Sequence, residues 1–176
     1  MQFTSACVVG AGRVGTAIAA RLSESLPTRL TGRELETGDA DLILICVPDR
    51  AVAEVAAAIP VGPWIAHTSG ARTLDALDPH DRRFSLHPLQ TFVRHRWPEQ
   101  LDGAWAAVAG ENPAALDAGF WLAGLLRLRP FELDDEAGRG EEGKRGLLPA
   151  LPLAEEEPGD EPIVEPRRRA VEQVLQ

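Results

Sequence analysis

Apolar residues fall along this chain in short blocks, and the spacing inside each block predicts its element. Thr4–Val9 reads as a first strand whose apolar end is broken at Gly10, and Arg13–Ser25 repeats Ala, Ile and Leu at helical spacing until Leu26-Pro27 stops it. Thr28–Thr31 reads as a short second strand. Ala40–Val47 is apolar but for Asp41 and halts at Pro48, the pattern of a strand buried on both faces. Arg50–Ile59 has helical spacing, with Asp49 placed to cap it. Trp64–His67, Arg83–Leu86, Ala104–Ala109 and Arg129–Leu133 read as further strands, with a brief helix at Thr73–Leu77 and a proline-opened helix at Pro113–Leu126. Strands alternating with helices predict an α/β fold with a doubly wound, mostly parallel sheet. Only Arg33–Asp39 separates the second strand from the third, so the second crossover is expected to be shortened to a turn or stub.

The turn after the first strand changes this picture from architecture to chemistry. Gly10-Ala11-Gly12-Arg13-Val14-Gly15 is G-x-G-x-x-G, lying between a strand and a helix. In that setting Gly10 permits the tight turn, Gly12 lets backbone approach a pyrophosphate, and Gly15 lets helix and strand pack closely. The helix then directs free N–H groups and its positive dipole end at the phosphates. The expectation is a Rossmann-type dinucleotide site; the competing reading is a glycine-rich turn that binds nothing. NAD sites place a carboxylate at the end of the second strand, on the ribose 2′-OH. Here that corner is Thr31-Gly32-Arg33-Glu34. Arg33 suits a 2′-phosphate, and Arg13 adds a second positive charge, so NADP(H) is expected over NAD(H). Glu34 argues the other way if the strand runs one residue further.

Ligands in such sheets bind beyond the carboxyl ends of the strands. Val47-Pro48-Asp49, His67-Thr68-Ser69-Gly70 and Leu86-His87-Pro88-Leu89-Gln90-Thr91 are the polar strand ends. A hydride transfer to a carbonyl or imine needs a proton donor, and histidine suits that at neutral pH. His67 and His87 are the candidates, with Ser69 and Gln90 orienting the substrate; each histidine could equally be a structural group satisfied at a strand end. His80 and His95 lie in charged loop sequence and read as surface residues. No His/Cys/Asp spacing resembles a metal site.

Composition adds limits. A chain of 176 residues holds one α/β domain with a small appendage. The net charge of −9 is local: residues 132–161 carry 11 acidic and 3 basic groups, against a net of −2 over the first 131. The domain's own balance therefore argues against non-specific nucleic-acid binding. No apolar run approaches a membrane span, and no signal peptide is expected. Cys7 and Cys46 sit in apolar runs as small core hydrophobes, which suggests a reducing, cytoplasmic compartment. There is no tyrosine and the sole lysine is Lys144, which excludes a Ser–Tyr–Lys reductase mechanism. Residues 1–133 are read as the dinucleotide-binding domain. Residues 134–176 are read as an acidic, Gly/Pro-rich linker with a short helix near the end, a truncated or diverged second domain.

The glycine motif, Cys46-Val47-Pro48-Asp49, His67-Thr68-Ser69-Gly70-Ala71, Ser85-Leu86-His87-Pro88-Leu89-Gln90-Thr91-Phe92 and Leu133-Asp134-Asp135-Glu136-Ala137 occur in order. That series resembles the Rossmann-like oxidoreductases that carry a C-terminal domain of unknown function, number 2520, over about residues 6–137. They are similar to pyrroline-5-carboxylate reductase and prephenate dehydrogenase within the 6-phosphogluconate dehydrogenase-like superfamily. The resemblance implies an NADP(H)-type cofactor on Gly10, Ala11, Gly12, Arg13, Val14 and Gly15, with Val47 and Pro48 lining its ribose. It also implies that His67, Ser69 and His87 face a small-molecule substrate, and that the family's assembly is a homodimer. After residue 137 the chain departs from the family pattern, which puts in doubt any group the family's helical domain supplies.

Three readings follow. The first is an NADP(H)-dependent oxidoreductase acting on a small oxo acid or cyclic imine. The second is a catalytically inactive dinucleotide-binding module that serves as a sensor or partner-binding subunit. The third is a decayed chain, which predicts Val55, Ile59, Trp121 and Leu125 partly exposed where neighbours are missing.

Overall fold

The computed structural model describes residues 3–94 and 98–133. The elements run β1 Ala6–Val9, α1 Arg13–Leu22, β2 Thr28–Thr31, β3 Leu42–Ile45, α2 Val52–Ala58, β4 Trp64–His67, β5 Arg83–Pro88, β6 Trp105–Gly110, α3 Pro113–Leu125 and β7 Arg129–Glu132. Short 3₁₀ turns lie at Asp49–Ala51, Leu74–Leu77 and Glu99–Leu101. The expected acidic linker and terminal helix of residues 134–176 lie outside the described residues, as does His95.

Among the described residues the strands form one sheet of order β2-β1-β3-β4-β5-β6-β7. All neighbours pair in parallel except β5 and β6, which are antiparallel. Among the described residues no α-helix lies between β5 and β6, only the Glu99–Leu101 3₁₀ turn, and β6 runs antiparallel to β5. This is a doubly wound, Rossmann-like α/β fold, as the apolar periodicity predicts.

β1 and β3 are buried on both faces, so successive residues feed two separate cores. Val8, Leu44, Ala66 and Leu86 face α1 and α3; Cys7, Val9, Ile43, Ile45 and Ile65 face α2. The shortened second crossover is present as expected. Residues 33–39 hold no helix, yet the α2-side core is not left bare. Leu35 and Ala40 pack onto it, and the Cys7 thiol lies 3.8 Å from the Glu36 carbonyl. A connector with one apolar anchor thus covers what a crossover helix would cover in a longer chain.

Several boundaries and one assignment differ from expectation. α1 ends at Leu22, because Ser23, Glu24 and Ser25 turn their N–H groups back onto Ala19, Arg21 and Leu22. Asp49 does not cap α2; it opens a 3₁₀ turn, and Ala51 holds the cap position without a side-chain hydrogen bond. The Thr73–Leu77 helix is a 3₁₀ turn. β5 continues through His87 and Pro88, whose pairing with β6 outlasts the apolar run. His80 is the clear correction: it is buried, with Nε2 3.0 Å from the Ala56 carbonyl. Its charged sequence neighbours point outward while the ring fills the space between α2 and the Leu74–Leu77 turn. Ile59 is buried, whereas Val55, Trp121 and Leu125 are half-buried and packed on the cores. Leu116 and Phe120 of α3 pack there too, and the Trp121 ring meets Phe3 edge-on at 5.1 Å.

Candidate dinucleotide and substrate site

The glycine loop is built by close approach. Gly10 has φ +115°, a left-handed conformation that side-chain-bearing residues avoid, and a Cβ there would lie 2.5 Å from the Cys46 carbonyl oxygen. A Cβ on Gly15 would lie 1.9 Å from the Gly10 carbonyl oxygen. Gly12 is different: a Cβ there would meet nothing within 4 Å. Two glycines therefore lock the strand–helix turn, and the third leaves its outer face open.

Gly12 is also the N-cap of α1 and supplies no side chain to cap it. The first intrahelical bond runs from Thr16 N–H to the Gly12 carbonyl at 3.0 Å. The N–H groups of Arg13, Val14 and Gly15 consequently have no acceptor within the helix. They sit beside a hollow of about 570 Å³ lined by Gly12, Arg13, Val14, Val47 and Pro48, with Cys46, Gln90, Thr91 and Phe92 across from them. A smaller hollow of about 130 Å³ lies on the other side of Arg13, against Ala11 and Thr16. Orphan donors, a positive helix end and an open backbone face fit a pyrophosphate.

Arg33 lines another space. Beyond β2, a hollow of about 600 Å³ is bounded by Arg29, Thr31, Gly32, Arg33 and Glu34. The Thr31 hydroxyl donates to the Glu34 carbonyl and pins this turn. Arg33 and Arg13 are exposed, with no ion-pair partner among the described residues. Arg29, by contrast, is 3.6 Å from Glu36.

His67, Ser69 and His87 gather at the ends of β4 and β5, on the α2 side of the sheet. His67 is fully buried, with Nε2 3.4 Å from the Thr73 carbonyl and Nδ1 without a partner among the described residues. Burial holds its imidazole below the ordinary value, against the Thr73 hydrogen bond and the charge of Asp49, while His87 pushes it down further. His87 is half-buried and donates from Nδ1 to the Thr68 carbonyl at 2.9 Å. That bond fixes the neutral tautomer and leaves the lone pair on Nε2. Nε2 abuts Gly70, where a Cβ would come within 2.5 Å of it. The Ser69 hydroxyl oxygen accepts from the N–H groups of Ala71 and Arg72, both at 3.1 Å, so its proton remains free to donate.

The structure thus brings the glycine loop together with Val47 and Pro48, and His67 with Ser69 and His87. Arg33 lines a separate hollow past β2, where the Thr31 carbonyl accepts from the Gly10 N–H at 2.8 Å. Cys46 joins the two groups and was read from sequence only as a core thiol. It lines the larger hollow, burial pushes its thiol up to about 12, and Thr68 hydrogen-bonds it. Thr68 in turn holds His87. Its place directly after the β3 apolar run was the available signal.

No protein-family model matches the chain, and no curated protein matches it by sequence. Solved structures do match by fold. One is a Bacteroides fragilis protein assigned as an NADP oxidoreductase, with TM-score 0.64, 18% identity, and coverage of 77% of this chain and 62% of that one. Another is the prephenate dehydrogenase of A. aeolicus in complex with hydroxyphenyl propionate and NAD+, with TM-score 0.64, 11% identity, and coverage of 78% and 62%. A semialdehyde dehydrogenase NAD-binding protein of Cupriavidus necator, in complex with calcium and NAD, gives TM-score 0.59, 18% identity, and coverage of 77% and 64%. The fold is that of Rossmann-like dehydrogenases. This chain spans just over three-fifths of the length of each.

Proposed function

We propose that this chain binds a nicotinamide dinucleotide, NADP(H) in preference to NAD(H), and works as an oxidoreductase on a small oxo acid or cyclic imine. The observation that carries the reading is the glycine loop: Gly15 allows contact on Gly10 that any side chain would forbid, while Gly12 stays open beside three free N–H groups. The resemblance of the His67–Ala71 and Ser85–Phe92 segments to oxidoreductases with a domain of unknown function supports the same reading.

In this reading Arg13, Val14 and Gly15 hold the pyrophosphate through backbone N–H groups. Val47 and Pro48 line the adjoining ribose, and Arg33 takes a 2′-phosphate. Glu34 borders the same hollow as Arg33 and is the residue that favours a free 2′-OH instead. A bound nicotinamide supplies or takes up a hydride. His87 does the proton work: Nε2 accepts a proton from a substrate hydroxyl or, once protonated, donates one to a carbonyl or imine. The Thr68 carbonyl keeps the ring oriented for both directions. Ser69 donates its free hydroxyl proton to the substrate, and neutral His67 packs beneath as a second stop for the proton.

The test is titration with NADPH and NADH, read by nicotinamide fluorescence and thermal midpoint. Saturable NADPH binding with NADH much weaker is expected, and Arg33→Gln narrows that gap by roughly tenfold, the scale of one charge-assisted contact. No binding of either dinucleotide overturns the reading. Binding without turnover of any oxo acid or cyclic imine is the outcome of the alternative, a dinucleotide-binding module acting as a sensor or partner-binding subunit.

A further inference from the structure

The segment after β5 forms the wall that faces the glycine loop, and one buried side chain holds it. Gln90, Thr91 and Phe92 line the larger hollow opposite Gly12, Arg13 and Val14. Val93 and Arg94 line the smaller one against Ala11 and Thr16. Among the described residues, no backbone–backbone hydrogen bond holds residues 90–94. Side chains fasten the segment instead. Phe92 is buried in the core beneath α1 and α3, and Val93 N–H donates to Gln100 Oε1 at 2.6 Å. Gln100 lies in the Glu99–Leu101 turn and is only 8% exposed. Its Nε2 is buried without a partner among the described residues. An amide left half-paired in an interior is costly, and an apolar side chain of the same length would avoid that cost. The acceptor oxygen is thus the part of Gln100 that the fold uses. The turn beneath it is tied to α1, because Leu101 is fully buried and Asp102 pairs with the buried Arg21 of that helix. One helix therefore sets both sides of the cleft: its free N–H groups form one wall, and Arg21, Asp102 and Gln100 fix the other.

We infer that Gln100 is a positioning residue for the dinucleotide: by holding the Val93 N–H it sets how far residues 90–94 stand from the glycine loop. The inference rests on the proposed reading of that loop as a dinucleotide site. Gln100 lines neither hollow, so it acts through the backbone it holds. A wall placed in advance spares the ligand the entropy of ordering that segment on binding. Without the acceptor, Phe92 still anchors the segment in the core, but the tie beside the smaller hollow is gone. The ligand then has to order the wall itself and binds more weakly.

The experiment compares wild type with Gln100→Met, which removes the acceptor at similar length, and Gln100→Glu, which keeps it. Amide hydrogen exchange of Val93, followed by NMR, reports the tie without any ligand. NADPH titration followed by nicotinamide fluorescence reports its consequence. Gln100→Met is expected to lose Val93 protection and to weaken NADPH about tenfold, the scale of one hydrogen bond. Gln100→Glu is expected to keep both. Asp41→Ala, which strands the Thr4 and Ser5 N–H groups at the opposite end of the sheet, controls for lowered stability and should bind NADPH as wild type does. The inference is overturned if Gln100→Met binds NADPH as tightly as wild type, or if Asp41→Ala weakens it equally. It is also overturned if affinity does not follow Val93 protection across the two Gln100 variants. Wild type that binds no NADPH, while Val93 exchange still depends on Gln100, removes the dinucleotide reading and the positioning role together and leaves the tie as a structural contact.

Discussion

At the amino end of the sheet, the Asp41 carboxylate accepts hydrogen bonds from Thr4 N–H and Oγ1 at 2.8 and 2.9 Å and from Ser5 N–H at 3.0 Å. Arg83, at the start of β5, grips Glu111 through Nε and Nη2 at 2.8 and 2.9 Å and also binds Asp78. At the carboxyl end, Arg13 and Arg33 have no ion-pair partner among the described residues, and α1 starts with three unclaimed N–H groups. The same backbone runs through both ends, so the difference comes from the residues that follow each strand. One end uses its polar groups to tie strands together, and the other leaves positive charge and donors open to an anion. Unclaimed polarity, rather than polarity itself, distinguishes the end that carries the candidate site.

The strongest way to sharpen this comparison is inside the glycine loop. Gly15→Ala drives a methyl group into the Gly10 carbonyl and is expected to cost about 3 kcal/mol in urea unfolding, together with all dinucleotide binding. Gly12→Ala meets open space and should change stability by less than about 0.5 kcal/mol while still weakening NADPH. Equal losses of stability in the two variants would dissolve the distinction between locking and open glycines.

The amino end should show the reverse behaviour. Asp41→Ala strands the donors of Thr4 and Ser5 and is expected to cost about 2 kcal/mol, with NADPH affinity unchanged. Burial raises the Asp41 carboxyl, but the Thr4 and Ser5 hydrogen bonds outweigh it and hold the group below its ordinary value. Its contribution is therefore present above about pH 4 and is lost as pH falls through the folded value, which acid titration of wild type against the variant will show. Arg83→Ala should cost about 1 kcal/mol and likewise spare the dinucleotide. A fall in NADPH affinity in either variant would show that the two ends are coupled.

The smallest effect concerns His67. Its folded pKa lies below the unfolded value of about 6.5, so the unfolded chain binds the proton first as pH drops. Stability is then full above about pH 6.5 and declines below it, until the folded pKa is passed. His67→Gln should flatten that part of the stability profile, whatever it does to the midpoint at neutral pH. An unchanged slope would mean that burial does not hold this imidazole neutral.

Much of this protein could be read from particular residues. Proline after an apolar run placed the end of β3 within two residues, at Ile45 rather than Val47, and Pro113 placed the start of α3, which the structure also caps by the Asn112 side chain accepting from Ala115 N–H. Such signals are local: they concern which backbone angles and hydrogen bonds a few neighbouring residues allow. His80 went the other way. Its charged neighbours predict a surface residue, and only the packing of α2 against the following turn shows that the ring is enclosed. Cys46 shares that lesson, because its place beside the larger hollow depends on groups brought in from other strand ends.

By itself, the sequence determined the alternation of strands and helices, the shortened second crossover, and the glycine loop, since each depends on short-range spacing and steric limits. The tertiary structure alone decided the antiparallel β6, the separation of Arg33 from the strand-end histidines, and the contact of the Ser69–Arg72 loop with His87. It also decided which histidine lies buried and which reaches the loop. Periodicity states which way a side chain points; only the assembled sheet states what lies opposite it.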